Sequence, residues 1–386
     1  MKIYIFPFLI DLITFLVMLR LADAAGREMH LSNLQASWLM VSFSACFLVT
    51  CLLVGRVLNT ANARRVLLIS MAALMLLAAP LFFTKAFEPT LWLFSVYGVM
   101  VAAAFNSFQT FMRGEAPAGS LGLTVARYTI SWSLGIACGF LLGGFLKDRG
   151  GPIALAAFST LACLAVIVLV ITHRGRDAAH TSSDAVVEEF EFQGAASRPV
   201  DNRYVVIGWL LSLSANFIQR PLTTFIPKFQ AEQGSKAWVA GLLLFVFFLA
   251  QALSGYRCQG LRRWLYRLEP LVLVQLLLVA SLALLWRAPG FWVSLFVLPI
   301  LGALFGFVFF SCVYYVSNDA RSSRNVGINE AMVGVGNILG LLLSESSMRL
   351  LRSPQAYFPV CMGATLLIIG MQWLYLKRSA PRCATA

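Results

Sequence analysis

Long apolar runs alternate with short polar breaks along almost the whole chain. The runs are about 18 to 25 residues long, which is the length an α-helix needs to cross a hydrocarbon core of roughly 30 Å. In lipid the backbone must satisfy its own hydrogen bonds, so such runs predict transmembrane helices. The predicted spans are 3–24, 35–55, 66–84, 90–111, 121–146, 153–172, 203–227, 237–256, 268–287, 290–316, 325–348 and 355–376.

The second half of the chain repeats the layout of the first. At a shift of 200 residues the matching pairs are Arg20/Arg220, Trp38/Trp238 and Gly55/Gly255, and at 205 they are Gly122/Gly327 and Gly135/Gly340. Duplication of this kind is typical of secondary transporters, which hold substrate between their halves. The predicted fold class is all-α integral membrane. It has two pseudo-symmetric six-helix bundles, 1–172 and 203–386, joined by a cytoplasmic linker at 173–202.

Composition agrees with a membrane protein and gives its orientation. The chain is 59% hydrophobic and 12% charged, whereas soluble domains are about a quarter charged. Lys and Arg are more frequent on the side of the termini, which predicts cytoplasmic termini in the cell inner membrane. The net charge of +13 therefore reflects topology and contact with lipid head groups, and no nucleic acid partner is expected.

Several function classes lack the residues they require. The eight cysteines form no CxxC pair, and no metal-ligand cluster, phosphate-binding loop or dinucleotide glycine pattern is present. We therefore expect no metal, no cofactor and no enzymatic activity. One chain supplies both halves, so function as a monomer is expected. The aromatic residues are expected mostly to face lipid or its interfaces.

The loop after the second span runs from Gly55 through Asn59 and Asn62 to Arg64 and Arg65. It resembles the signature cytoplasmic loop of the major facilitator superfamily, in which a glycine precedes an acidic residue and a basic pair. Asn59 stands at the acidic position and Asn62 at a second glycine. Because Asn tolerates left-handed backbone, we expect the turn to survive.

The fifth span carries glycines at four-residue spacing, which place a smooth face on a helix. They resemble the superfamily's antiporter motif GxxxGPxxGG, with Phe140 in place of proline. The glycines are Gly135, Gly139, Gly143 and Gly144. Taken with the repeat and the loop, these motifs identify the chain as similar to major facilitator superfamily members, and the motif pattern resembles drug and sugar exporters. The resemblance implies alternating access of two bundles around one central site, and the antiporter motif implies export.

Ionisable residues within the spans are candidates for function, because charge in a bilayer is costly. Asp11 is the predicted proton carrier, since desolvation favours its neutral form. Arg220 and Arg127 are predicted to shape the substrate site, with Arg127 alternatively paired to Glu330 or Glu115.

Arg20 and Arg220, at equivalent positions of the two halves, could together clamp an anion. In the alternative, Arg20 lies at the outer surface and Arg220 is paired to a carboxylate. Uncharged polar candidates for the cavity wall are Asn106, Gln109, Asn216, Gln219, Gln251 and Tyr314.

The favoured hypothesis is a secondary active transporter that exports a small organic solute in exchange for protons. Organic-anion uptake or exchange through the Arg20/Arg220 clamp is the first alternative. A sensor or assembly protein that keeps the fold without transporting is the second. Gly55, Arg64, Arg65, Glu330 and the glycines of the fifth span are assigned to gating or structure.

Overall fold

The computed structural model describes residues 4–115, 121–172, 201–261, 264–288, 290–317 and 322–379. The elements of these ranges are helical. In the first half they are α1 (Ile5–Arg27), α2 (Asn33–Val57), α3 (Thr60–Phe83), α4 (Phe87–Glu115) and a long helix, Leu121–Thr172. In the second half they are α7 (Arg203–Glu232), α8 (Ala237–Arg257), α9 (Leu268–Arg287), α10 (Phe291–Ser317), α11 (Ser322–Leu351) and α12 (Tyr357–Arg378), with a short 3-10 turn, Cys258–Gly260, after α8. Most of the predicted linker, 173–200, lies outside the described residues.

The helix Leu121–Thr172 is two helices that meet at Gly151. That residue has φ 63° and ψ −157°, a backbone conformation that only glycine adopts readily, and Pro152 follows it. We call the two parts α5 (121–150) and α6 (152–172). The predicted spans end at 146 and begin again at 153, whereas the fifth helix continues through Lys147 to Gly150 and is interrupted at Gly151.

With this division the described residues contain the twelve α-helices that the apolar pattern predicts. Ten candidate spans satisfy a length and hydropathy criterion, with α5 and α6 counted together. The helix α7 does not, because polar side chains occupy much of its length. Those side chains are buried within the protein, so the low hydropathy of α7 reflects a central position.

The two halves use equivalent helix contacts. A Cβ on Gly98 of α4 would lie 2.7 Å from the Phe43 carbonyl oxygen of α2, and one on Gly302 of α10 would lie 2.0 Å from the Phe247 oxygen of α8. A shift of 204 residues superimposes one pair on the other. Both glycines allow two helices to pack closer than any side chain would permit. The internal repeat is therefore a repeat of helix contacts.

Between the halves, α1 packs on α7, α2 on α11 and α5 on α8. These helices and α4 and α10 surround a central cavity. We call the end of the bundle that carries the α1–α2 and α7–α8 connections the far end, because it is opposite to the chain termini.

Candidate functional site

The central cavity has a volume of about 180 Å³ and lies between the halves. Aromatic side chains form a large part of its wall, and they are Phe15, Phe43, Phe47, Phe105, Tyr128, Trp132, Phe248 and Phe309. The expectation that the aromatic residues mostly face lipid or its interfaces overlooked this wall. Within an apolar run, the sequence does not show whether an aromatic ring faces a cavity or lipid.

Asp11 is on the cavity wall, near the middle of α1. Its residue exposure is 5%, and no hydrogen bond or ion pair joins its carboxyl to another described residue. The side chain lies beside α5, where a Cβ on Gly135 would be 3.0 Å from the Asp11 Cβ. The structure therefore places this carboxyl at the cavity, and its role as a proton carrier stays a prediction.

Arg220 reaches the cavity from α7. Its Nη1 donates to the Met18 Sδ at 3.0 Å, and its Nη2 donates to the Ser44 Oγ at 3.3 Å. The guanidinium carbon is 5.4 Å from the centroid of the Phe43 ring, and Nε has no hydrogen-bond partner. Within the described part of the chain no carboxylate pairs with this guanidinium, so the alternative of a permanent acid partner for Arg220 is not supported.

The backbone beneath Arg220 is unusual as well. Pro221 has no N–H, so the Phe217 carbonyl one turn earlier loses its intrahelical donor. Gly340 of α11 approaches that oxygen closely, since a Cβ there would lie 2.3 Å from it. A side chain at Gly340 would collide with this oxygen, so glycine is what lets α11 pack closely on α7 here.

Two predicted amides line the cavity and a third lies behind it. Asn216 and Gln219 are on the wall. Gln219 donates from Nε2 to the Gln251 Oε1 at 2.7 Å, and Gln251 donates from Nε2 to the Ser133 Oγ at 3.0 Å. Gln251 itself is fully buried. This chain of polar groups connects α7 and α8 of the second half to α5 of the first.

Other predicted site residues are not at the cavity. Asn106 donates to the Ala102 carbonyl at 2.8 Å and to the Cys51 Sγ at 3.2 Å, and Tyr314 stacks on Phe310 with 5.9 Å between ring centroids. Arg127 is exposed on α5 and is not part of the wall, so its assignment to the substrate site is corrected. The side chain of Gln109 lies outside the described residues.

Glu330 was assigned to gating, but the structure places it on the cavity wall. Sequence reasoning also missed Met18 and Ser44, which hold Arg220 in the described conformation. A methionine and a serine in apolar helices carry no signal of their own, and only their distance to Arg220 reveals them.

Arg20 is separated from Arg220. It is buried near the far end, where its Nη2 donates to the Glu28 Oε2 at 2.9 Å, and it does not line the cavity. Lys147 of α5 forms ion pairs with Asp23 and, at 3.3 Å, with Glu28. The clamp of Arg20 and Arg220 is therefore not formed in this structure, because the carboxylate of Glu28 holds Arg20.

Comparison with known proteins agrees with this arrangement of helices around one cavity. A sequence model of the Major Facilitator Superfamily matches residues 3–341. The chain belongs to the Major Facilitator Superfamily. No curated protein sequence is similar enough to this chain to count as a relative.

Solved superfamily structures are similar in fold. The nucleoside transporter NupG is 11% identical, with a TM-score of 0.71, over 97% of this chain and 98% of that one. The human organic anion transporter MFSD10 (TETRAN) is 17% identical, with a TM-score of 0.66, over 96% and 98%. At these identities the similarity establishes the fold alone.

Several contacts close this superfamily member at the far end. Arg27 of α1 donates from Nη2 to the Ser235 carbonyl. Lys228 of α7 donates to the Asn33 Oδ1 at 2.9 Å. Asp148, at the end of α5, accepts from the backbone N–H of Ala237 at 3.3 Å and of Trp238 at 2.9 Å. Each contact joins one half to the other.

The glycines of the antiporter motif are packing residues in this structure. A Cβ on Gly139 would lie 2.6 Å from the Leu12 carbonyl oxygen of α1, and one on Gly143 would lie 3.3 Å from the Leu19 side chain. Gly144 instead meets α8, with the Ala237 oxygen 2.7 Å away. The motif therefore joins α5 to α1 and, at its last glycine, to the other half.

The superfamily's signature loop is built differently from our expectation. Asn59 has extended backbone, φ −139° and ψ 172°, and its Oδ1 accepts from Ala61 N at 3.1 Å and Asn62 N at 3.0 Å. The Asn62 Oδ1 in turn accepts a hydrogen bond from Asn59 N at 2.9 Å. The two residues form a capping box for α3, so this turn is kept without a left-handed Asn.

The basic pair of the loop is exposed on α3. Arg64 donates from Nη2 to the Ile171 carbonyl at 2.8 Å, near the end of α6. A cation at a helix C-terminus stabilises its unpaired carbonyls, so Arg64 fastens α6 to α3. Gly55 lies in the last turn of α2, but its surroundings are outside the described part of the chain.

Proposed function

We propose that this protein is a proton-coupled secondary transporter of a small organic solute, with Asp11 as the proton carrier. The observation that supports it best is the position of this carboxyl. It is buried on the wall of the cavity between the halves, without a hydrogen bond or ion pair to another described residue. A carboxyl committed to structure would have a fixed partner.

Proton coupling follows from this position. An ionised carboxylate is poorly stabilised among apolar groups, so its protonation depends on whether water reaches the cavity. Opening the cavity first to one side of the membrane and then to the other would let Asp11 bind a proton on one side and release it on the other. The contacts at the far end are those that must break when the cavity opens there.

Direction and orientation are separate parts of the proposal. The distribution of Lys and Arg supports cytoplasmic termini in the inner membrane, with the far end outside. Export in exchange for protons has one support, the resemblance of the glycines of α5 to the antiporter motif. Their packing against α1 accounts for these glycines without reference to direction. Everted membrane vesicles test the point, because an exporter accumulates solute in them when the lumen is acidified.

The proton carrier is tested in proteoliposomes that enclose a pH-sensitive dye. We expect addition of a transported solute to change the internal pH with the wild-type protein. Asp11→Asn is expected to abolish this change while solute exchange between the two sides of the liposome persists. The matched control is Glu88→Gln, which neutralises an exposed carboxylate in the first turn of α4 and should retain proton movement.

A normal pH change in Asp11→Asn would refute the assignment of the proton carrier. Solute binding without flux in the wild-type protein would instead favour the sensor or assembly alternative. The anion-clamp alternative in its original form loses support, because Arg20 is bound to Glu28 away from the cavity.

A further inference from the structure

The guanidinium of Arg220 is only partly satisfied by its neighbours in the cavity wall. Five N–H donors are available on a guanidinium, but the described partners are one thioether and one hydroxyl. A thioether is a weak acceptor, and Nε has no partner. A buried cation held only by neutral groups is costly, and that cost is recovered when an anion arrives.

We propose that the transported solute is a small organic anion, an aromatic or similarly apolar body with one carboxylate-like group bound by Arg220. This inference rests on the proposed transport function and names its substrate class. A planar carboxylate accepts two parallel hydrogen bonds from a guanidinium. In the bound state it replaces the Met18 sulfur and the Ser44 hydroxyl as the acceptor.

The rest of the cavity fits the body of such a molecule. Its volume of about 180 Å³ is somewhat larger than an engineered cavity of roughly 150 Å³ that binds benzene. There is room for one ring and a short polar group. Trp132 and Phe309, whose centroids are 5.3 Å apart in an edge-to-face pair, and Phe248 supply aromatic surface for that ring.

The two acidic groups of the wall do not change this assignment. Asp11 and Glu330 line the same cavity. An unpaired guanidinium would repel a cationic solute, so in a site for cations we would expect a carboxylate to pair with Arg220. Instead, the described contacts of Arg220 are to neutral groups of α1 and α2. These contacts also mean that Arg220, from the second half, binds the first half directly. A bound anion would therefore lie between the two halves.

The test is equilibrium binding to the purified full-length protein, measured by calorimetry and by thermal shift without any gradient. The probes are matched sets that share one body: benzoate, phenylacetate and indole-3-acetate, each with its amide and its amine. We expect at least one carboxylate to bind and to raise the melting temperature. Its amide and amine should bind at least about tenfold more weakly, since charged hydrogen bonds distinguish them.

Three variants locate the interaction. Arg220→Lys keeps the charge but loses the planar fork, and should weaken carboxylate binding about tenfold or more. Ser44→Ala removes a competing acceptor of Arg220, and should strengthen carboxylate binding. The matched control, Arg287→Gln, removes an exposed arginine at the end of α9 and should change nothing. If Arg220→Lys folds poorly, carboxylate binding that is unchanged or weaker in Ser44→Ala overturns the proposal.

Equal binding of the three members of every set, preferential binding of the amines, or no binding of any carboxylate would overturn the proposal. So would wild-type affinity in Arg220→Lys. These results are independent of Asp11, because no proton gradient is present. Carboxylate binding with normal proton movement in Asp11→Asn would overturn the proton carrier and leave the substrate class standing.

Discussion

The N-terminus of α8 is capped by the opposite half of the molecule, and this contact allows a sharp test of far-end closure. Lys236, the N-cap residue of α8, provides no side-chain acceptor. The carboxylate of Asp148 in α5 accepts from Ala237 N and Trp238 N in its place. In the first half, α2 is capped by its own Ser32, which accepts from Gln35 N at 3.2 Å. Of these two caps, the cap of α8 is therefore the one that depends on the halves being together at this end.

The expected effect of Asp148→Ala can be estimated from these contacts. Loss of a helix cap costs about 1 kcal/mol, and a negative charge near a helix N-terminus adds a similar amount at most. Asp148 is exposed, so solvent screening limits the charge contribution and we take about 1 kcal/mol in total. Because both bonds break when the far end opens, the variant should shift the population toward the open state about fivefold.

The assay is the distance between spin labels on the two halves, in a background without the native cysteines. Lys85→Cys, between α3 and α4, and Arg287→Cys, at the end of α9, place labels on exposed far-end positions of opposite halves. Asp148→Ala should increase the fraction of long distances. Glu88→Ala, which removes an exposed carboxylate from α4 at the same end, should not. An unchanged distribution in Asp148→Ala would refute the role of this cap.

Two further substitutions test contacts within the first half. Gly139→Ala should lower the melting temperature, because the new Cβ would lie 2.6 Å from the Leu12 oxygen and force α1 away from α5. The expected cost is about 1–3 kcal/mol. The control Gly363→Ala should not lower it, since no atom lies within 4 Å of the new Cβ. Asn59→Ala should destabilise the start of α3 by about 1 kcal/mol, seen as faster hydrogen exchange at the Ala61 and Asn62 amides, whereas Asn59→Asp should keep their protection. Equal melting temperatures for the two glycine variants, or unchanged exchange in Asn59→Ala, would contradict the packing and capping described here.

The helices could be predicted because lipid leaves the backbone few alternatives, so length and hydropathy decide most of the fold. The boundary at Gly151 could not be predicted in this way. The polar residues from Lys147 to Gly150 look like a loop, but a helix that has left the hydrocarbon can continue through polar residues. A span predicted from sequence ends where the apolar residues end, but the helix itself can continue beyond that point.

The site was predicted only where a polar residue interrupts an apolar run. Asp11 and Arg220 stand out in that way, and both line the cavity. Arg127 interrupts a run equally well, but it faces away, because hydropathy does not report which side of a helix a residue occupies. The pairing of Arg20 with Glu28 was missed for a related reason. Glu28 lies beyond the predicted span, and the helix extends far enough to bring the two together.

The charges of the cavity connect the substrate to the direction of transport. Exchange of solute for protons requires that the two compete for the carrier. An anion bound by Arg220 neutralises the guanidinium and brings negative charge into the cavity that Asp11 also lines. A carboxyl is more readily protonated when positive charge nearby is neutralised, so solute and proton would bind together. A proton gradient directed inward would then drive uptake. If an anion were instead found to exchange against protons, Asp11 could not carry its proton in the same step in which Arg220 carries the anion. An anionic solute favours cotransport, and the vesicle experiment on direction becomes an independent test of the role of Arg220.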